Sequence, residues 1–322
     1  MSSKKKLAIA VAGVLVIGAG VAWFGGNQLA KGKAEEELKA FLAENNLQDY
    51  VTWESLDASV GGTATLANVK VINQQNPARF ITFQQVFLNK FDNSENNKEI
   101  DISFVGLADE SGNSPVGQLS MQKLAELGYD RLPHINGAVK VQLDLVTDRS
   151  GYQFRIDQPG VANFGINIDA NKINALLQHI NANKAALANN GMALLQPLSA
   201  VSINSLSITV EDKGLVQHII AKEKGGAPGA KTSVEQDKAY EAKMQQQKQT
   251  CVQQGVVLFG ETKAEASCDA IYKYVTSQKS GLSIAMNPTP ALQIMTLLQL
   301  TTGQGLANLP QVLQSMNIEV KN

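Results

Sequence analysis

Apolar and polar positions alternate most regularly between residues 139 and 168. Val139, Val141, Leu143 and Leu145 are interleaved with Lys140, Gln142 and Asp144. After Asp148-Arg149-Ser150-Gly151 the alternation resumes as Tyr152, Phe154 and Ile156 against Gln153, Arg155 and Asp157, and beyond Pro159-Gly160 as Phe164, Ile166 and Ile168. Successive side chains on a strand point to opposite faces, so this pattern predicts an antiparallel meander with one apolar and one wet face. Upstream, residues 50–60 and 63–72 have β character and meet at Gly61-Gly62, which suits a two-residue hairpin. Residues 80–91 and 100–105 extend the strands around a polar 92–98 loop, and 114–127 predicts a short helix through Leu119, Leu124 and Leu127.

The period then changes to that of a helix. Ile173, Leu176, Leu177, Ile180 and Leu187 form one stripe after Asp169, which predicts a capped helix lying on the meander's apolar face. Val201 and Ile203 are followed by Leu206, Ile208 and Val210, a slip of one position that a β-bulge accounts for. Lys222 to Lys231, with Gly225-Gly226 and Pro228-Gly229, reads as a linker. Thr232 and Glu235 form a capping box that opens a Gln-rich helix to about Gln254. The next helix puts Ala264, Cys268, Ile271, Tyr272 and Val275 on its packed face, and Leu282-Ile284-Met286 is a strand. Pro288 suits a first helical position, so Leu292, Ile294, Met295, Leu297, Leu298 and Leu300 predict an almost wholly apolar helix. A short helix (309–316) and strand (318–320) follow.

The N-terminal part differs in kind. Leu7–Phe24 is free of charge and follows Lys4-Lys5-Lys6. A helix of that length spans roughly 27 Å, close to the ~30 Å hydrocarbon core of a bilayer. The cationic flank predicts a cytoplasmic start and an exported body. Leu7, Val14, Ile17, Trp23 and Phe24 mark this anchor, with Trp23 at the interface. Gly20-Val21-Ala22 allows the alternative of a cleaved signal peptide, although the apolar run continues past it. Ala8/Ala12 and Gly18/Ala22 have the spacing of close-packing helix faces. Leu29, Leu38, Phe41 and Leu42 punctuate a charged run that includes Lys31, Lys33 and Glu35-Glu36-Glu37 and reads as a helical stalk. The expected fold class is α+β: an N-terminal transmembrane helix, then an antiparallel β-meander sheet packed with helices, then a helical C-terminal part. The expected divisions are a cytoplasmic tail (1–6), anchor (7–24), stalk (25–47), β-rich periplasmic domain (48–222) and helix-rich part (223–322).

Composition narrows the function classes. A net charge of −1 over 322 residues, without a basic cluster beyond the N-terminus, argues against nucleic acid as a partner. Cys251 and Cys268 are the two cysteines; in an oxidising compartment they would close a short loop contributing about 3 kcal/mol. Two free buried thiols are the alternative, and the spacing excludes a CxxC redox motif. Ser120-x-x-Lys123, Ser202-x-Asn204 and Lys231-Thr232-Ser233 mimic the motifs of penicillin-binding enzymes. The third of these opens a helix instead of lying on a strand, which makes that enzyme a remote alternative. Gly225 to Thr232 departs from a phosphate-binding loop by Ala230 and by its charged approach, Lys222-Glu223-Lys224. His134, His179 and His218 have no companions at metal-ligand spacing, and Asp109-Glu110 reads as a solvated turn. No catalytic residue, metal or cofactor is assigned.

The charged helix leading to Val51-Thr52-Trp53 and Leu66-Ala67-Asn68-Val69-Lys70-Val71 resembles the YdgA-type family of bacterial envelope proteins, and more loosely the AsmA-like proteins. Glu211-Asp212-Lys213-Gly214-Leu215, Gly281-Leu282-Ser283-Ile284, Asn287-Pro288-Thr289-Pro290 and Asn317-Ile318-Glu319-Val320 carry the same likeness at the other end. The resemblance implies a bacterial inner-membrane protein with a periplasmic β-rich body. Its AsmA-like side implies an apolar groove used on phospholipid or lipopolysaccharide. Val139, Val141, Leu143, Phe154, Ile156, Phe164 and Ile166, with Leu292 and Leu297, are the candidate groove residues. The function expected is non-enzymatic lipid handling or sensing, with scaffolding of an envelope complex through the stalk and the Gln-rich helix as the alternative.

Overall fold

The computed structural model describes residues 31–44, 47–59, 63–73, 76–115, 118–182, 198–226, 232–296 and 309–322. The chain forms two compact units, Met1–Asp144 with Tyr152–Asn163, and Leu145–Gly151 with Phe164–Asn322. The boundary is crossed three times, all within the meander.

In the first unit, β1 (Val51–Thr52) and β2 (Ser55–Ala58) both pair with β3 (Ala64–Asn73), and β4 (Asn76–Asn93), β5 (Asn97–Asp109), β6 (Ile135–Asp144) and β7 (Arg149–Gln158) follow in order. The expected β2–β3 hairpin is present, with Ala58 opposite Ala64; its Gly61-Gly62 turn lies outside the described residues. Helix α1 (Lys31–Glu44) is not a free-standing stalk. Leu38 and Leu42 are fully buried in the cluster that contains Leu56, Leu66, Phe83 and Ile102. Each such leucine contributes about 1.5–3 kcal/mol, which fastens the helix to the sheet. Helix α2 (Gln118–Ala125) falls within the expected span.

Strict alternation fails along one line of this sheet. Leu66 and Val69 both face the core, as do Phe83 and Val86, so each strand reverses its faces over an even–odd step. Asn68 (φ 49°) and Gly106 (φ 74°) take the left-handed conformation at this line, which reverses facing without ending the strand. Gly106 N–H donates to Asn136 Oδ1 at 3.0 Å. On the same sheet Glu99 is nearly buried between Lys90 (2.6 Å) and Lys140 (3.0 Å). Burial pushes its carboxyl up, but the two lysines outweigh it and hold the pKa below the ordinary value.

In the second unit, β8 (Ala162–Asn171), β9 (Ser202–Asp212), β10 (Gly281–Met286) and β12 (Ile318–Lys321) lie side by side, and β11 (Leu292–Gln293) pairs with β9. Helix α3 (Asn174–Ala182) packs Ile173 and Leu176 against Ala170 and Val201. Its first N–H is accepted by Asp148 Oδ1 at 2.7 Å, not by the expected Asp169. Ile203 and Leu206 reach the same cluster although three positions apart. Helices α4 (Leu215–Gly225), α5 (Ser233–Phe259), α6 (Glu261–Val275) and α7 (Leu309–Ser315) complete the unit. The Thr232/Glu235 capping box is formed as expected.

The expected fold class is corrected by these findings. The described residues are mostly antiparallel sheet with some helices, and the C-terminal part adds three strands to the sheet. The apolar helix expected from Pro288 onward does not begin there: Leu292–Gln293 pair as β11, helix starts only at Ile294, and residues 297–308 lie outside the described residues. Asn287 and Thr289 donate backbone bonds to Met316 and Ser315, so a five-residue loop interrupts the strand where a helix was expected. Among the described residues no helix is long and apolar enough to cross a membrane, so the transmembrane helix of the expected fold class is not found among them. The anchor residues Leu7, Val14, Ile17, Trp23 and Phe24 lie outside the described residues.

Candidate functional site

Residues directly opposite on paired strands share a face of the sheet. In the second unit this places Leu206, Met286 and Ile318 in one row, Ile208, Ile284 and Val320 in the next, and Val210 beside Leu282 in a third. The first row is covered: Met286 is buried with Leu292 and Met316, and Val312, Leu313 and Ile294 pack against them. Beyond it the cover thins. Val320 is still buried, but Ile208, Val210 and Leu282 are only half-buried, and Ile284 is 38% exposed. An apolar strip of branched side chains therefore lies partly open along the sheet.

The nine candidate groove residues divide between the units. In the first, Val139 is buried, Ile156 packs against the core, and Val141, Leu143 and Phe154 are half-buried. In the second, Phe164 and Ile166 are half-buried, and Leu292 fills the covered end of the strip instead of lining its open part. Leu297 lies outside the described residues. Ile208, Val210, Leu282 and Ile284 were recognisable as strand residues, but not as neighbours, because pairing between distant strands is not written in local alternation.

The cysteines form the expected disulfide, with Cα atoms 5.8 Å apart, between antiparallel α5 and α6. Small residues allow this approach: a Cβ on Gly255 would lie 3.0 Å from the Phe259 ring and 3.4 Å from Cys268 Sγ. Polar ties run the length of the pair. Lys248 bonds Asp269, which also takes Lys273 at 2.7 Å; Gln245 donates to the Tyr272 hydroxyl at 2.9 Å, and Tyr240 donates to the Val275 carbonyl at 3.2 Å. Hydrogen bonds from Lys248 and Lys273 hold the Asp269 pKa below its ordinary value. These groups are partly exposed, so each pair adds no more than about 1 kcal/mol. Lys263 of α6 reaches Glu319 of β12 at 3.0 Å. With Lys321 it draws the Glu319 carboxyl down to about 2.

The catalytic look-alikes have local occupations. Ser120 and Lys123 lie on α2 in the first unit, whereas Ser202, Asn204 and Thr232 belong to the second. Thr232 accepts the Glu235 N–H at the start of α5. Asn204 donates to Asp169 at 2.6 Å and accepts from Asn171 at 2.9 Å, in a ladder that Arg149 joins through Asp169 at 2.8 Å. His134 Nε2 lies 3.1 Å from the Gly112 carbonyl, and His179 and His218 sit on α3 and α4. Gly225 ends α4, and 227–231 lie outside the described residues.

No curated protein compared with the chain matches it. Residues 155–322 match a family model described as "Uncharacterized protein". The matched segment runs from within β7 to Asn322 and includes the apolar strip and the disulfide-linked helix pair. Because it covers more than half of the chain, the protein belongs to that family.

Proposed function

We propose that this is a non-enzymatic protein of the bacterial envelope, with its body in the periplasm at the inner membrane, that handles or senses lipid through the apolar strip of its second unit. The observation supporting this is the partly open row Ile208–Ile284 and its neighbours Val210 and Leu282. The strip is lined by branched aliphatic side chains, so an occupant gains nothing there from hydrogen bonding and loses little by having no polar groups. An acyl chain meets that condition; a peptide, whose backbone must be satisfied, does not. The Cys251–Cys268 bond supports an oxidising compartment, and the likeness to YdgA-type and AsmA-like proteins supports the envelope.

Native mass spectrometry after gentle extraction tests the reading. Phospholipid-sized adducts should accompany the parent protein and fall by about tenfold in Ile284→Glu, a charge costing at least the 1.4 kcal/mol of one decade. A parent protein free of lipid would overturn it. The scaffold reading has one observation in its favour: of the 27 residues of α5, only Met244 and Gly255 are fully buried, so a long Gln-rich face is presented to solvent. Reproducible cross-linking of Gln245–Gln249 to one envelope protein would support it.

A further inference from the structure

The charges of α5 are segregated. Its first part carries Glu235, Asp237, Lys238, Glu241, Lys243 and Lys248, whereas Gln249 to Gly260 carries no charge at all. A helix face bathed in water ordinarily mixes charges along its length. The uncharged end is also where the helix pair turns. Val256-Val257-Leu258-Phe259 closes α5, Val257 is 49% and Leu258 41% exposed, and Gly260 (φ 80°) reverses the chain into α6. The end is rigid, because the disulfide and the Gly255 contact brace it from behind. Its turn is closed by its own backbone bonds: Gly260 N–H to Val256 O at 2.9 Å, and Lys263 and Ala264 N–H to Gly260 O at 3.2 and 3.0 Å.

We infer that the Val256–Phe259 end of the helix pair is a wedge that enters the interfacial layer of a phospholipid bilayer. This rests on the lipid reading above and adds the place where the protein meets its source of lipid. A convex apolar end suits a fluid surface, which closes round it without a matching groove. Charges are the costly groups at such a surface: Val256 to Gly260 carries none, and Glu261 and Lys263, which open α6 beside it, would stay at headgroup level. Internally bonded backbone is the second requirement for contact with hydrocarbon, and the turn's own bonds go toward meeting it. Gln249, Gln253 and Gln254, exposed on the same stretch, would remain among the headgroups.

The test uses the full chain with vesicles of phosphatidylethanolamine and phosphatidylglycerol doped with a phosphatidylcholine bearing an acyl-chain diazirine. After irradiation and reduction, adducts are mapped by peptide mass spectrometry. Adducts should appear in 249–263 and fall by about tenfold in Val257→Glu/Leu258→Glu, in keeping with the cost of a charge there. They should be unchanged in Val146→Glu, a substitution at an exposed hairpin tip elsewhere. The milder Leu258→Gln, checked for an intact disulfide and parental circular dichroism, should give an intermediate loss. Adducts confined to 206–210 and 282–286 would overturn the wedge and leave the lipid reading standing. Adducts at 249–263 that persist in the double variant would also overturn it. No adducts anywhere would overturn both.

Discussion

Gly137 on β6 is a position where one methyl group should be felt across the first unit. A Cβ there would lie 2.5 Å from Phe104 Cζ and 2.8 Å from the Arg155 carbonyl oxygen. Carbon atoms in contact settle near 3.5–4.0 Å, so the Phe104 ring would have to withdraw by roughly 1 Å. It has little room to do so. Phe104 is 4% exposed and meets Phe83 edge-on, with centroids 5.3 Å apart, and Phe83 is itself 1% exposed. Overpacking of this kind costs about 1–3 kcal/mol. The methyl also restricts the unfolded chain, which returns about 0.4–1 kcal/mol, so Gly137→Ala should lose roughly 1–2 kcal/mol net. Urea unfolding followed by the fluorescence of Trp53, which packs against the same core, measures it. Phe104→Leu alone should also destabilise, but in the double variant the alanine methyl occupies space the ring has left. The two losses should then fall short of their sum by about 1 kcal/mol. Strict additivity would refute the collision with Phe104 and place the cost on the Arg155 carbonyl. Parental stability in Gly137→Ala would refute the close approach itself.

Other outcomes can be checked in the second unit. Cys251 and Cys268 are 17 residues apart, so replacing both by Ala should cost about 3 kcal/mol of the stability of the helix pair. Hydrogen exchange across 240–275 would show this, and unchanged protection would mean that the bond constrains nothing. Glu319, held at about 2 by Lys321 and Lys263, stabilises the fold fully above its ordinary value of 4.5, and that contribution is lost as pH falls from there toward 2. Carboxyl-carbon NMR should place its midpoint near 2, and Lys263→Ala should raise it; a midpoint at the ordinary value would exclude the pairing. Gly106→Ala should destabilise the first unit by about 1–2 kcal/mol, because its φ of 74° penalises any Cβ. Thermal unfolding would read this as a lowered midpoint.

Where local chemistry decides an element, the sequence was legible. Thr232 and Glu235 named the start of α5, and Pro159-Gly160 marked the turn between β7 and β8. Where a long-range partner decides, it was not. Leu292 looked like the opening of a helix because nothing near it in sequence reveals that Ile203 lies opposite on β9. Leu38 and Leu42 looked like punctuation in a charged stalk, since the surface that buries them is made by strands still to come. The apolar strip illustrates both cases: the alternation of 206–210 and 282–286 was plain, whereas the pairing that sets Ile208 beside Ile284 belongs to the register. The cysteines were legible because a helical hairpin brings positions 17 apart together without help from the rest of the chain.

The short segment 145–151, the turn after β6 with the first residues of β7, has a consequence for anyone who wishes to cut the gene. It lies between strands of the first unit, yet its Asp148 holds the first N–H of α3 and its Arg149 bonds Asp169, both in the second. A fragment beginning at residue 155, where the family match begins, would arrive without that turn, leaving α3 uncapped and Asp169 without its arginine. Expression boundaries drawn from the matched segment should therefore be moved upstream of residue 145, so that the borrowed turn travels with the half that depends on it.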